Sequence, residues 1–239
     1  MGNNWFNFKQ FGIRQEYSGM KVGTDSIVLG AWVNTQNVRK ILDIGSGTGI
    51  LALMMGQRSK AIIDAVEINK NACLEASNNI KSSPWEERIR IIESSFKDFC
   101  QAKRITKSQY DLIISNPPYY SDSMPARTSE RTLARHNSTL KTSELLKGVE
   151  MLLKPDGRLG LILPYTEGTK FIGEAKKAGL LLERLLQVKS NPNKPVHRLV
   201  MEFSRLAGKP EELELTIRSE ENGYTNEYVN LTKDFYLNF

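Results

Sequence analysis

Three observations in the 239-residue sequence predict an α/β fold built on a mostly parallel central sheet. From residue 38 onward, short apolar runs alternate with amphipathic stretches of helical period. The first run ends in a glycine-rich turn, and two β-rich segments near the C-terminal side flank a polar Pro/Asn loop. Alternating strands and helices bury both faces of a sheet, which fixes the class.

The elements follow in order. Residues 38–44 read as a buried strand entering the turn at Gly45, and 50–58 as the helix behind it. Residues 61–68 give a second strand, 70–80 a second helix, and 88–93 and 110–115 the third and fourth strands. Leu145, Leu146, Val149, Leu152 and Leu153 fall at i, i+1, i+4, i+7 and i+8, one face of a helix. Lys154-Pro155-Asp156-Gly157 reads as a turn that stops this helix before a strand over 158–163. Segments 180–188 and 196–204 then predict an antiparallel pair at one sheet edge. Residues 1–37 read as an N-terminal cap and 38–239 as the core of a single domain. Trp5, Phe6, Phe8 and Phe11 are expected to pack under that cap.

Composition narrows the class of activity. Apolar residues make up 40% and charged residues 25%, values of an ordinary globular chain. The longest strictly apolar run, residues 50–55, is far short of the ~18 needed for a membrane span. No leader pattern precedes it, and Phe6 stands where a myristoylation signal needs Ser or Thr. Cys73 and Cys100 are the only cysteines and share no metal-ligand spacing, so no metal is expected and the reducing cytoplasm is the expected location. The net charge of +6 is uneven: residues 121–210 carry +7 and residues 211–239 carry −5. A basic middle suits a polyanion and equally suits solvated helix faces, and charge alone leaves both open.

Two stretches carry chemistry. In Asp43-Ile44-Gly45-Ser46-Gly47-Thr48-Gly49 the glycines let the backbone turn sharply and approach a ligand at a helix N-terminus. A dinucleotide fingerprint would space them G-x-G-x-x-G, but Gly49 follows Gly47 by two, which counts against a nicotinamide enzyme. Glu67 ends the second strand, where a carboxylate can accept both ribose hydroxyls of a nucleoside. The second stretch is Asn116-Pro117-Pro118-Tyr119, delivered to a strand's C-terminal end. Two prolines remove two N–H donors and leave carbonyls to face a substrate. With the Asn116 amide oxygen they form converging acceptors suited to a planar amino group, and Tyr119 offers a ring for stacking. An amine whose lone pair is delocalised needs such positioning more than it needs a base.

The G-x-G-x-G loop resembles the first motif of S-adenosylmethionine-dependent methyltransferases, which implies their Rossmann-like fold. With Asn-Pro-Pro-Tyr it resembles the enzymes that methylate adenine N6, cytosine N4, guanine N2 or the glutamine amide. Further segments narrow this: Phe8-Lys9-Gln10-Phe11, Met20-Lys21-Val22-Gly23-Thr24-Asp25, Ser83-Pro84-Trp85, residues 113–120 and His197-Arg198. In this order they resemble, end to end, the tRNA1(Val) (adenine(37)-N6)-methyltransferases. That resemblance implies S-adenosylmethionine as cofactor, S-adenosylhomocysteine as product, and adenine next to the anticodon as target. It places Lys21 to Asp25 beside the methionine end of the cofactor, with Thr24 near its carboxylate, and gives Asn116 to Tyr119 the target base. Where such enzymes often carry an Asp for the cofactor adenine, this chain has Ser95, with Asp98 three residues on, so either can make that contact. Phe96 is the expected stacking ring.

Arg127, Arg131 and Arg135 recur every fourth residue after the catalytic strand, one stripe if helical. Planar guanidinium forks suit phosphate, and the resemblance assigns them to tRNA, with Lys194, His197 and Arg198 as a second contact. No obligate protein partner is evident. The alternatives are the same chemistry on ribosomal guanine N2 or a protein glutamine, and a non-catalytic cofactor-sensing RNA binder. An intact Asn116 to Tyr119 set counts against the last.

Overall fold

The computed structural model describes residues 4–17, 21–106, 108–117, 140–206 and 208–239. Strands β1 (Trp5–Asn7) and β2 (Gly12–Arg14) pair as a short hairpin, and helix α1 (Thr24–Trp32) follows. Then come β3 (Lys40–Ile44), α2 (Ile50–Arg58), β4 (Ile62–Glu67), α3 (Lys70–Lys81), β5 (Ile89–Glu93), α4 (Phe96–Thr106) and β6 (Tyr110–Ser115). The C-terminal part adds α5 (Thr142–Leu152), β7 (Leu153–Pro164), α6 (Tyr165–Lys177), β8 (Leu181–Lys189), β9 (Arg198–Ser204), β10 (Glu211–Thr216) and α7 (Asn226–Thr232).

Eight strands form one sheet in the order β10-β8-β9-β7-β6-β3-β4-β5. Strands β7, β6, β3, β4 and β5 are parallel neighbours, and β9 runs antiparallel to both β7 and β8. The expected antiparallel pair is therefore β8–β9. Strand β10, which the sequence reading left out, adds to the outer side of β8 in parallel. Its residues Glu211, Glu212 and Glu214 stand exposed along that edge.

Side chains alternate between the two sheet faces with period two. Ile41, Leu112 and Ile114 pack on one side with α1, α2 and the N-terminal aromatics, whereas Leu42 and Ile113 pack on the other with α4, α5 and α6. On the α1 and α2 side, Phe8 and Phe11 are buried and stacked at 4.6 Å, and Phe8 meets Tyr236 of the C-terminal tail, while Trp5 stays 44% exposed. Lys9 N–H donates to the Phe235 carbonyl, so the hairpin and the tail lie against each other.

One local expectation is corrected. Residues 154–157 do not end the helix as a separate turn; they lie inside β7 as a bulge, because Tyr110 pairs with Leu153 while Leu112 pairs with Arg158. Pro155 cannot donate to a ladder, which makes it tolerable where pairing is already broken. Lys154 Nζ donates to Asp111, the one residue opposite the bulge.

Candidate active site

The sheet delivers the site. Strands β3, β4 and β6 run the same way, so Gly45, Glu67 and Asn116 emerge at one edge. Strand β9 runs the other way and begins where β7 ends, with Arg198 opposite Pro164. The single reversed strand thus brings a C-terminal arginine to the edge where the parallel strands finish.

A cleft of about 490 Å³ opens along that edge. Gly45, Ser46, Gly47 and Thr48 of the loop line one side, and Lys21, Val22 and Gly23 the wall leading into α1. Asn116 and Pro117 line it with Ser26 of α1, and Pro164, Glu167, Asp25 and Arg198 complete it. Open α/β sheets bind ligands at this place. Gly45, Gly47 and Gly49 all adopt positive φ, of 70°, 53° and 82°. A Cβ on Gly45 or Gly47 would meet no atom within 4 Å, so neighbouring atoms do not explain the glycines there. The positive φ does, and a side chain would extend into the space these residues line.

Hydrogen bonds hold the loop in shape. Glu67 accepts the Gly47 N–H at 2.9 Å through one oxygen and the Asn69 N–H at 2.8 Å through the other. Each oxygen keeps a further lone pair. Asn79, buried on α3, donates to the Thr48 carbonyl and also to the Arg14 carbonyl, joining the loop to β2. Gln15 accepts the Val22 N–H at 2.7 Å, fixing the start of the Lys21–Asp25 wall.

Asp43 lies beneath the loop rather than on the cleft surface, fully buried. One carboxylate oxygen accepts the Ala52 N–H of α2 at 3.1 Å, while the other is buried with no partner among the described residues. Burial pushes its pKa up to about 7, opposed by the Ala52 bond and reinforced by the nearby Glu67 charge. Ser46 Oγ is likewise buried with no partner among the described residues.

Asn116 is held from α1. Its Nδ2 donates to Ser26 Oγ at 2.9 Å, leaving Oδ1 as an acceptor. The preceding Ser115 hydroxyl donates to the Ile44 carbonyl at 2.7 Å, pinning the end of β6 to β3. Arg198 Nε donates to Asp25 at 2.8 Å, an ion pair with both side chains about 30% exposed. Thus the first turn of α1 touches the ends of both β6 and β9.

The cleft collects Lys21, Gly45, Gly47, Asn116, Pro117 and Arg198 of the sequence-predicted residues. Thr24 is exposed at the head of α1, beside the lining residues Gly23 and Asp25. Gly49 is the residue before α2, packed on Ala76. Ser95 and Asp98 are committed to one another at the start of α4: the Ser95 hydroxyl donates to Asp98 Oδ2 at 2.7 Å and accepts the Asp98 N–H at 3.1 Å. Phe96 is a correction. Its ring is 8% exposed and fills the α4–α5 interface over Gly148, in the core instead of free to stack.

Lys194 is exposed on the polar loop between β8 and β9, away from the cleft lining. His197 Nδ1 is buried without a partner among the described residues, and burial together with the Arg198 charge holds its pKa down. Pro118, Tyr119, Arg127, Arg131 and Arg135 lie outside the described residues. Sequence reasoning missed Ser26, Pro164 and Glu167. Pro164 is the last residue of β7 and Glu167 lies in the first turn of α6, and the rule that strand ends carry ligands could have found them.

Among the described residues no helix is long and apolar enough to cross a membrane, and no group of three or more His, Cys, Asp or Glu is placed to hold a metal.

Comparison with known proteins gives a consistent picture. The model of the methyltransferase small domain matches residues 15–170. A predicted O-methyltransferase from Agrobacterium tumefaciens has the same fold at a TM-score of 0.67, covering 88% of this chain and 96% of that one at 15% identity. A relative from Parabacteroides distasonis is 41% identical over 99% of both chains, and one from Tolumonas auensis is 44% identical over 99% of this chain and 98% of its own. Both are named tRNA1(Val) (adenine(37)-N6)-methyltransferase. On this near-complete overlap, the chain belongs to the tRNA1(Val) (adenine(37)-N6)-methyltransferase family.

Proposed function

We propose that the chain transfers a methyl group from S-adenosylmethionine to N6 of adenine 37, beside the anticodon of tRNA1(Val), in the cytoplasm and as one unit over residues 1–239. The observation that carries this reading is the shared cleft: Asn116, with its amide oxygen unclaimed by Ser26, lines the same cavity as the loop residues Gly45 and Gly47.

The residues present fit the cofactor. Glu67 holds two backbone N–H groups and keeps lone pairs for ribose hydroxyls. Gly45 and Gly47 leave open the space that a nucleoside and its methionine arm need. Lys21 and the head of α1 at Thr24 stand at the other wall for the charged methionine end. Between Ser95 and Asp98, which share a capping bond, the carboxylate retains the stronger acceptor for an adenine amino group. When bound, S-adenosylmethionine supplies a methyl made electrophilic by its sulfonium.

The chain's own residues then act on the acceptor. Asn116 Oδ1 and the Pro117 carbonyl accept hydrogen bonds from the two N6–H groups, which favours a more pyramidal and more nucleophilic nitrogen. Pro118 stiffens this backbone and Tyr119 stacks on the base. No side-chain base is required, since the methylated nitrogen is acidic enough to lose its proton to water. An anticodon loop can splay the base out without breaking a duplex. Arg127, Arg131 and Arg135 contact the tRNA phosphates, with Lys194 and Arg198 as a second contact. His197 adds a hydrogen bond to the RNA beside Arg198.

The test is transfer of labelled methyl into total tRNA from cells lacking the protein, followed by nucleoside analysis. The label is expected as N6-methyladenosine, and Asn116→Ala is expected to abolish transfer while calorimetry shows cofactor binding intact. Label in another nucleoside, or an Asn116→Ala enzyme with wild-type turnover, would overturn the reading.

A further inference from the structure

We infer that Ser26 is a positioning residue for methyl transfer, holding the Asn116 side-chain amide in place at the cleft wall. The inference rests on the adenine-N6 reading above and deepens it at the same site.

A serine is a costly choice at this place. The segment Ser26–Trp32 of α1 is buried throughout, and Ser26 is its polar member, 9% exposed. Alanine would be the better helix former, and a buried hydroxyl is unfavourable unless it is hydrogen-bonded. The partner that Ser26 has among the described residues is Asn116, 90 positions away, whose Nδ2 lies 2.9 Å from its Oγ. Ser26 also lines the cleft beside Asn116 and Pro117.

An amide is two-faced: one end accepts, the other donates. Turned the wrong way, Asn116 would present N–H groups to an amino group that is itself a double donor, and the contact would become repulsive. The strand fixes the Asn116 backbone through Ser115 and Ile44, but a strand end leaves χ2 free. Ser26 Oγ restrains that freedom by bonding one end of the amide, here accepting from Nδ2. It does so from a buried helix whose neighbouring residue, Asp25, is itself tied to Arg198. The acceptor thus stands ready before the substrate arrives, the condition under which fixed dipoles act best on a reaction.

Ser26→Ala and the hydroxyl-keeping Ser26→Thr test this in the full-length protein. Ser26→Ala is expected to lower kcat roughly 10- to 100-fold, the scale of a misplaced reacting group. Its affinity for S-adenosylmethionine by calorimetry, its KM for that cofactor and its Tm are expected to stay at wild type, and Ser26→Thr is expected to restore most of kcat. A second readout needs no turnover. The Asn116 side-chain NH2 resonances are expected to be protected from solvent exchange in the wild type and to lose that protection in Ser26→Ala. Wild-type kcat in Ser26→Ala, or a kcat loss matched by an equal loss of cofactor affinity, would overturn the inference. If the wild type labels no tRNA adenine, the underlying reading fails, and the positioning role falls with it whatever the resonances show.

Discussion

Asp43 joins one helix N–H to one unpartnered oxygen in complete burial, and its pH behaviour follows from that. Its pKa rises on folding from 3.8 to about 7, so between those values the folded chain binds a proton that the unfolded chain has already lost. The contribution to stability is therefore complete at low pH and is lost as pH rises through about 7. Asp43→Asn keeps an acceptor for the Ala52 N–H and cannot ionise. Denaturant midpoints at about pH 5 and about pH 8 are expected to differ less in this variant than in the wild type. Parallel pH dependences would show that Asp43 does not carry the effect. At this scale Asn116, Glu67 and the glycines were legible because their chemistry is tied to strand ends and to spacing. Ser26 was not: a serine inside an apolar helix announces nothing until its partner, far away in sequence, is seen beside it.

Helices α4 and α5 meet where a glycine is required by space. A Cβ on Gly148 would lie 2.3 Å from the Phe96 ring and 2.8 Å from Cys100 Sγ. Gly148→Ala is expected to destabilise by about 1–3 kcal/mol despite the better helix propensity of alanine. Gly173 of α6 is the matched control, since a Cβ there meets nothing within 4 Å. Gly173→Ala is expected to be neutral or to stabilise by up to ~1 kcal/mol. Thermal unfolding of the two variants checks both, and equal midpoints would refute the packing argument. Helix α4 also shows why one assignment went astray. Phe96, Phe99 and Cys100 recur at i, i+3 and i+4 and are all buried, the same signal that revealed α5. Read that way, Phe96 belongs to the core. Strand β10 carries a weaker signal: Leu213, Leu215 and Ile217 alternate with Glu212, Glu214 and Thr216, but its glutamates are poor strand formers, and it pairs on the edge of β8.

Across the whole molecule, the N-terminal hairpin and the C-terminal tail are packed into the same core as α1 and α2. Phe8 sits between Phe11 and Tyr236 and belongs with Ile27, Leu53 and Phe235 to one contiguous cluster. Phe8→Ala is expected to cost about 3–5 kcal/mol and to lower a single unfolding transition. Two transitions by calorimetry, one for the N-terminal segment alone, would contradict a single unit over 1–239. The parallel order of the sheet was legible from alternation, because each βα step obeys the same local rule. The consequence of the reversal at β9 was not, since bringing Arg198 opposite Pro164 depends on register between strands far apart in sequence.

The carboxylates along β10 act well beyond their own strand. Bare strand edges invite pairing with other chains, and charged side chains along an edge discourage it. Glu211, Glu212 and Glu214 stand exposed there, in a C-terminal segment of net charge −5. The same row is also held from within, since Glu211 pairs with Arg184 and Glu214 with Lys189 of β8, each at 2.9 Å. The outermost strand is therefore clasped as well as guarded: the carboxylates that mark its edge also tie it sideways to the cations of β8.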